Sequence, residues 1–193
     1  LKNRQFENDF VLQKINTQIF KTPQDLMGNI TKVGQFLIEK EYPKQVLLPV
    51  QSVDNQFFVK NKTSSWRLFP FIKNTLTFNE VDTPEKAYQA AFAFGEYGRY
   101  LNGFDANQLK ETIPNFHNTN LRYQQFFDWT KKVKGDRKKE AWQSIEQLME
   151  YRYLLNVIRN TQLPLRVAHN DTKINNILFD KTTEQPVCVI DLD

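Results

Sequence analysis

The end of the chain restricts the fold more than any other part of the sequence. Two apolar runs, residues 177–179 and 187–190, are separated by a polar connection that ends in Pro186. Short apolar runs on either side of turn-forming residues favour an antiparallel β-hairpin. Polar residues are concentrated directly before this hairpin, and two aspartates follow it. A surface loop needs no such arrangement, whereas a site for a metal ion and phosphate does.

The hairpin also predicts which polar residues face each other. Counting outward symmetrically places Ile177 opposite Ile190 and Asn176 opposite Asp191. Directly opposed Cβ atoms lie about 5 Å apart on one face, so an amide oxygen and a carboxylate there can share one cation. A register shifted by one residue would turn the two side chains to opposite faces. In a continuing strand Asp193 shares the face of Asp191, as a third ligand or an orienting group.

These residue types suit phosphoryl transfer. Mg²⁺ takes hard oxygen ligands at about 2.1 Å, usually one or two carboxylates together with phosphate oxygens. Asp171 and Lys173 stand in the loop that leads into the hairpin. A carboxylate there can accept a proton from an attacking hydroxyl, and an ammonium can neutralise charge on the transferred phosphoryl group. His169, just before the loop, is more typical of a structural residue that holds the turn than of a catalytic group.

The rest of the sequence predicts an α+β protein in which a sheet-rich part precedes a helical part. Strands are predicted at residues 10–15, 46–50, 56–60, 65–72 and 165–168. Helices are predicted from Thr22-Pro23 to before Pro43, from Thr83-Pro84, over residues 121–134 and over residues 137–160. In the last of these, the residues expected to face inward are Trp142, Ile145, Leu148, Met149 and Leu155. We expect lobes at residues 1–72 and 73–193, with a hinge near residues 70–79.

Composition argues against several other classes of protein. The net charge of +4 is spread along the chain, and the basic run at residues 131–139 is better explained as a solvated helix end than as a nucleic-acid surface. The single cysteine, Cys188, permits no disulfide within the chain. No apolar run approaches the roughly 20 residues of a membrane span. We therefore expect neither nucleic acid nor membrane as a partner, and a cytoplasmic location by default.

The loop motif resembles a known catalytic loop. Residues 169–176 have the form His-x-Asp-x-x-x-x-Asn and residues 190–193 the form Ile-Asp-x-Asp, which resemble the aminoglycoside phosphotransferase and choline kinase superfamily. Within it, the segments most similar to the N-acetylhexosamine 1-kinases are residues 11–16 (VLQKIN), 20–30 (FKTPQDLMGNI), 111–119 (ETIPNFHNT) and 169–180 (HNDTKINNILFD). The resemblance implies a protein-kinase-like two-lobed fold. It also implies an ATP-dependent enzyme that phosphorylates the anomeric hydroxyl of N-acetylglucosamine or N-acetylgalactosamine.

The resemblance implies roles for the residues of the loop and hairpin. Asp171 matches the catalytic base, and Lys173 lies beside the transferred phosphate. Asn176 and Asp191 match the ligands of Mg²⁺, with Asp193 as a possible third ligand. ATP and Mg²⁺ are therefore the expected cofactors, and an amino sugar is the expected small-molecule substrate.

The resemblance extends to the nucleotide. Lys14 matches the position of a basic residue that contacts the ATP phosphates. The segment Pro70, Phe71 and Ile72 matches the hinge whose backbone binds adenine. Without the resemblance, Lys14 reads equally well as a surface lysine on an edge strand, and the hinge segment as a plain strand end.

The segment at residues 111–119 has two readings. His117 and Arg122 are candidates for contacts with the substrate, because the segment resembles a family signature. The structural alternative is a proline-bounded loop in which Asn118 or Thr119 caps the next helix.

Two features depart from the family pattern. The first helix has no central glutamate to pair with Lys14, since Asp25 is near its start and Glu39 near its end. The phosphate-covering glycine-rich turn would precede residue 11, and helices that complete the sugar pocket would follow Asp193. We therefore expect the chain to be a fragment of the enzyme. Two alternatives stay open: a kinase of choline, an aminoglycoside or homoserine, and a non-catalytic, pseudokinase-like nucleotide-binding module.

Overall fold

The computed structural model describes residues 9–193, apart from the side chains of residues 158 and 159. Contacts within the chain divide it into two units. The first extends from the N-terminal part of the chain to Thr112 and resumes at Leu165–Asp193, and the second is Ile113–Pro164. The lobes expected at residues 1–72 and 73–193 stay a prediction, of which residues 1–8 lie outside the described chain.

The described residues form a mixture of helices and short strands. The strands are β1 Phe10–Ile15, β2 Val59–Lys60, β3 Ser65–Pro70, β4 Thr75–Leu76, β5 Ile177–Asp180 and β6 Pro186–Val189. The α-helices are α1 Pro23–Glu39, α2 Pro84–Tyr100, α3 Thr119–Lys132, α4 Asp136–Glu140, α5 Trp142–Glu150 and α6 Leu154–Asn160. Single 3₁₀ turns stand at Ala106–Gln108, Tyr151–Tyr153 and Ile174–Asn176. The predicted α+β class is confirmed.

The first unit contains two small antiparallel sheets. In one the strand order is β1-β3-β2, and in the other it is β4-β5-β6. The first predicted strand is confirmed, but the strand predicted at residues 56–60 contains only Val59–Lys60. Residues 46–50 form no strand, because they contain Pro49 and make one backbone bond to β3, from the Val50 N–H to the Leu68 carbonyl at 2.7 Å.

Helix α1 contributes to two of the buried clusters in this unit. It begins with Pro23 in its first turn, as predicted, and ends at Glu39, before Pro43. Its N-terminal half packs with β1 and β3 in a cluster of Ile15, Leu26, Met27, Ile30 and Phe69. Its C-terminal half packs with α2 and β6 in a cluster of Val33, Leu37, Tyr42, Tyr97, Leu101 and Val189. The apolar face of α1 therefore fixes β1 and β3 relative to the end of the terminal hairpin.

The helical second half differs from the prediction in two places. Helix α2 begins as expected, with the Thr83 hydroxyl accepting a hydrogen bond from the Lys86 N–H at 3.2 Å. The single helix predicted at residues 137–160 is instead α4, α5 and α6, with a 3₁₀ turn before α6. The residues predicted to face inward do not share one buried face, even within α5. Ile145 is buried, whereas Trp142 and Leu148 are exposed. The strand predicted at residues 165–168 is absent.

The terminal hairpin forms, but its predicted register is wrong. Ile177 pairs with Val189 rather than with Ile190, and the register shifts by one residue after Leu178. The turn is tighter than symmetric counting assumes, because the Asp180 N–H donates to the Gln185 carbonyl at 2.9 Å. The residue left over is Val187, whose carbonyl accepts the Gln45 N–H at 2.9 Å.

None of the helices among the described residues is both long and apolar enough to cross a membrane.

Candidate functional site

A cavity of about 380 Å³ lies in the first unit, lined by residues of both sheets and of α1. Its apolar lining includes Val11 from β1, Phe69 from β3 and Leu178 from β5. Its polar side chains are Gln13, Arg67, Thr75, Asn176, Asp191 and Asp193. A mainly apolar cavity with a few convergent polar groups is the usual form of a small-molecule site.

The predicted hinge lies along this cavity. Pro70, Phe71 and Ile72 all line it. The Phe71 N–H already donates to the Asp9 carbonyl at 2.9 Å, and the Ile72 carbonyl accepts the Thr75 hydroxyl at 2.8 Å. The Phe71 N–H is therefore already used within the chain, whereas the Ile72 carbonyl oxygen has a second lone pair.

Asn176 connects the loop to the cavity. The 3₁₀ turn Ile174–Asn176 delivers its side chain, which is buried and lines the cavity. Its amide nitrogen donates to the Asp171 carbonyl at 2.9 Å and to the Asp171 carboxylate at 3.0 Å. Because the nitrogen is taken up by Asp171, the amide oxygen is the group able to bind a cation.

Asp171 and Lys173 form a local ion pair. The Lys173 ammonium lies 2.6 Å from the Asp171 carboxylate, and both side chains are about half exposed. The hydrogen bond from Lys173, followed by that from Asn176, holds the pKa of Asp171 below its usual range. The same bond raises the pKa of Lys173. At neutral pH the loop therefore presents a charged acceptor and a charged donor side by side.

His169 has the structural role that the sequence favoured. Its Nδ1 accepts the Asp171 N–H at 3.3 Å, so the proton is on Nε2, which donates to the Ile190 carbonyl at 2.8 Å. The ring packs edge-on against Phe94 and Tyr97 of α2. His169 thereby ties the loop that carries Asp171 to the end of β6.

Asp191 and Asp193 line the same cavity as Asn176, but cross-strand pairing is not the reason. The β5–β6 ladder ends at Val189, and the backbone of Asp191 is in the left-handed region with φ +66°. The strand continuation assumed from the sequence therefore does not exist. Instead the chain turns at Asp191 and returns its carboxylates to the cavity.

Both carboxylate oxygens of Asp193 are engaged by Arg67. The two terminal guanidinium nitrogens lie 2.6 Å from the two oxygens, a bidentate ion pair between residues 126 positions apart. Of the two roles that the sequence left open for Asp193, this geometry supports the orienting one.

The polar groups of the cavity fit a magnesium ion that is completed by a ligand. Within residues 9–193, no three His, Cys, Asp or Glu side chains form a group that could hold a metal ion by themselves. Mg²⁺ does not need such a cage, because it is usually bound by one or two carboxylates and by the phosphate oxygens of its substrate. The Asp191 carboxylate and the Asn176 amide oxygen, which line the same cavity, are donors of this kind.

The structure does not bring Lys14 to the cavity. Successive side chains of a strand point to opposite faces. Val11 and Gln13 line the cavity and Ile15 is buried, so Lys14 lies on the other face of β1, where it is exposed. The sequence carried this signal, because an inward Ile15 already implies an inward Gln13. Arg67, by contrast, stands in a run predicted only as a strand, and no local pattern singled it out.

His117 and Arg122 belong to the second unit. The His117 ring packs edge-on against Phe116, with the ring centroids 4.7 Å apart. Arg122, in the first turns of α3, donates to the Gln125 side chain at 3.2 Å. Asn118 caps α3 by accepting the Leu121 N–H at 3.0 Å, which supports the structural reading of this segment.

The Asp171 carboxylate is paired with Lys173 and hydrogen-bonded to Asn176, whose amide lines a cavity together with Asp191 and Asp193. This arrangement is suited to phosphoryl transfer. Residues 45–193 match the sequence profile of the phosphotransferase enzyme family APH. The chain belongs to this family. The match and the two antiparallel sheets confirm the expected kinase-like α+β class. Membership implies a kinase-type enzyme that acts on a small molecule with ATP, generally with Mg²⁺.

Proposed function

We propose that this site phosphorylates the anomeric hydroxyl of an N-acetylhexosamine, N-acetylglucosamine or N-acetylgalactosamine, with ATP as the donor. One observation supports this most. Asn176 holds Asp171 with its amide nitrogen while lining the cavity together with Asp191 and the hinge residues. Base, metal donors and nucleotide site are therefore linked through one buried side chain. The choice of sugar is supported by the similarity of residues 11–16, 20–30, 111–119 and 169–180 to the N-acetylhexosamine 1-kinases.

In this proposal Asp171 orients the sugar hydroxyl and accepts its proton. A carboxylate with a lowered pKa is a weak base, so its main contribution is to position the hydroxyl for attack. Phosphoryl transfer suits such a residue, since its transition state is loose and asks for positioning and charge neutralisation more than for covalent chemistry. Lys173 is close enough to Asp171 to neutralise charge on the group in transfer.

The nucleotide would occupy the cavity described above. The apolar side chains of Val11, Phe69 and Leu178 suit a flat aromatic base, and the segment Pro70–Ile72 runs along the same wall. Asn176 and Asp191 would hold Mg²⁺, which neutralises the phosphate oxygens when bound.

The test is an acceptor screen with a direct readout of the product. The purified protein is incubated with ATP and Mg²⁺ and with N-acetylglucosamine, N-acetylgalactosamine, choline, homoserine or an aminoglycoside. ATP consumption is measured, and the product is identified by phosphorus NMR. We expect a sugar 1-phosphate with one of the two N-acetylhexosamines and not with the other acceptors. Turnover only with an amine or with homoserine would refute the sugar assignment, and nucleotide binding without turnover on any acceptor would favour the non-catalytic alternative.

A further inference from the structure

We propose that Arg67, rather than Lys14, provides the positive charge that binds the nucleotide phosphates, and that Asp193 and Gln13 hold its guanidinium in place for this purpose. The inference rests on the proposed function only in requiring that the cavity binds ATP. It gives a phosphate-binding role to a residue of the second long strand of the sheet, where the sequence had pointed to the first.

The location of Arg67 is the first argument. Among the described residues that line the cavity, Arg67 is the only one with a cationic side chain. It stands on β3 directly opposite Gln13 of β1. Lys14, next to Gln13, is opposite Trp66 and on the other face of the sheet. A charge for the phosphates that starts from this pair of strands must therefore come from Arg67.

The way in which Arg67 is held is the second argument. Its Nε donates to the Gln13 amide oxygen at 3.0 Å, and its terminal nitrogens donate to both oxygens of Asp193 at 2.6 Å. The guanidinium carbon also lies 5.2 Å from the centre of the Phe69 ring. An arginine has five N–H donors. Three have partners in the described chain, which leaves two on the terminal nitrogens for an incoming anion.

Burial makes this charge effective. Only 9% of the Arg67 side chain is exposed, so water screens it little. Fixing the guanidinium before the ligand arrives removes part of the ordering cost of binding. An arginine kept only to anchor a strand would not need to line the cavity wall that also contains the metal donors.

The charges of the lining give the third argument. With Asp191, Asp193 and Arg67 all ionised, the cavity lining has an excess of one negative charge. A triphosphate would be repelled by that lining without a cation. One Mg²⁺ at Asp191 reverses the sign, and Arg67 then attracts the phosphates at a second point. The cavity should therefore bind MgATP much more tightly than free ATP.

The experiment separates a phosphate contact from a purely structural arginine by using two ligands. MgATP and adenosine are titrated into the wild-type protein, Arg67→Gln, Arg67→Lys and Lys14→Gln, with isothermal calorimetry as the readout. Adenosine has no phosphates, so its affinity depends on the shape of the cavity and not on contacts to phosphate groups. Far-UV circular dichroism and the thermal midpoint check that each variant is folded.

For Arg67→Gln we expect MgATP to bind about 10- to 100-fold more weakly, because a charge-assisted hydrogen bond is lost. The Kd for adenosine should stay within about twofold of the wild-type value. Arg67→Lys keeps the charge but loses the fork geometry, and should weaken MgATP binding about 3- to 10-fold. Lys14→Gln, the matched control, should leave both ligands unaffected.

Equal weakening of both ligands by Arg67→Gln or Arg67→Lys would overturn the inference and make Arg67 a structural residue. The same conclusion follows if Lys14→Gln weakens MgATP and the Arg67 variants do not. Should Arg67→Gln fail to fold, Arg67→Lys decides by the same comparison. If the wild-type protein binds neither ligand, the nucleotide site itself is wrong and both proposals fall.

Discussion

Two carboxylate–cation pairs belong to the candidate site, one hydrogen-bonded to Asn176 and one lining the same cavity as Asn176, and they differ in almost every physical respect. Asp171 and Lys173 are two residues apart, with both side chains about half exposed. Arg67 and Asp193 are 126 residues apart, with side chains that are 9% and 22% exposed. The first pair is one flexible ammonium beside one oxygen, whereas the second is a bidentate fork. Both pairs join one carboxylate to one cation, but they differ in exposure, geometry and separation along the chain.

The difference indicates that the two pairs have different roles. An exposed pair contributes little to stability and exchanges its partners readily. Asp171 and Lys173 can therefore leave each other and bind substrate without loss of the fold. A buried bidentate pair cannot open cheaply, since each charge would lose its partner in a place that water reaches poorly. We therefore expect the first pair to act in catalysis and the second to hold Arg67 fixed for the nucleotide phosphates.

The largest expected effect is on the exposed pair. Asp171→Asn should lower kcat by about 10²- to 10⁴-fold, the usual contribution of a positioned general base. MgATP affinity and the thermal midpoint should change little, because Asp171 is half exposed. Steady-state kinetics on the acceptor that the screen identifies provide the measurement. Asp54→Asn, in an exposed loop, is the matched control. Near wild-type turnover in Asp171→Asn would remove Asp171 from the mechanism.

Lys173→Met tests the other half of the exposed pair. Lys173 is expected to meet the phosphoryl group, so kcat should fall by about 10²-fold, comparable to the removal of one transition-state donor. The free energy of unfolding should not change measurably, because an exposed pair adds little. Lys62→Met, on an exposed loop, is the control. A rise in KM for ATP with unchanged kcat would instead make Lys173 a ground-state nucleotide contact.

The contrast between the pairs also explains what the sequence could predict. Asp171, Lys173 and Asn176 fall within one short loop, so their spacing alone brings them together, and the structure places Asn176 in contact with Asp171. Helix α1 was predictable for the same reason, because its start signal and apolar period are local. The pairing of Arg67 with Asp193 joins two elements far apart in the chain, and no local pattern encodes it.

The predictions that the structure contradicts have the same cause, since each depends on contacts between segments far apart in the chain. The predicted register of the terminal hairpin was wrong because Val187 is displaced toward Gln45, a contact between distant segments that hairpin counting cannot see. Asp191 reaches the cavity through a left-handed backbone rather than through strand alternation. The donor set could thus be predicted from residue types and spacing, but the geometry that assembles it could not. Lys14 is the exception, since it was assigned to the ATP phosphates although alternation along β1 would have been enough to place it outside the cavity.

Breaking the buried pair should lower the stability of the folded protein. Asp193→Asn leaves the Arg67 charge without its counter-charge, so the free energy of unfolding should fall by about 1–3 kcal/mol. Urea denaturation measures it, against Asp54→Asn as the control. Magnesium then separates the two roles of Asp193. If Asp193 orients Arg67, KM for ATP rises at saturating Mg²⁺ and the half-saturating Mg²⁺ concentration is unchanged. A higher Mg²⁺ requirement would show that Asp193 is a metal ligand.

The smallest expected effect is on the rate at which Cys188 is labelled by a disulfide reagent. This one assay compares the two pairs. Cys188 is fully buried in β6, and burial raises the pKa of its thiol to about 12. At pH 8 the thiolate that reacts with disulfide reagents is therefore scarce in the folded protein. We expect labelling at least about 10²-fold slower than in urea, limited by opening of the hairpin.

Asp193→Asn should accelerate this labelling about tenfold, because it loosens the chain directly after β6, whereas Lys173→Met should leave the rate unchanged. Raising the pH from 7 to 9 should increase the rate in both variants, because the thiol that reacts is the one exposed by opening, and its thiolate fraction grows as the pH passes its ordinary pKa of about 8.5. Equal acceleration by the two substitutions would mean that the exposed pair also supports the hairpin, and the distinction between an exposed catalytic pair and a buried pair that holds Arg67 in place would be wrong.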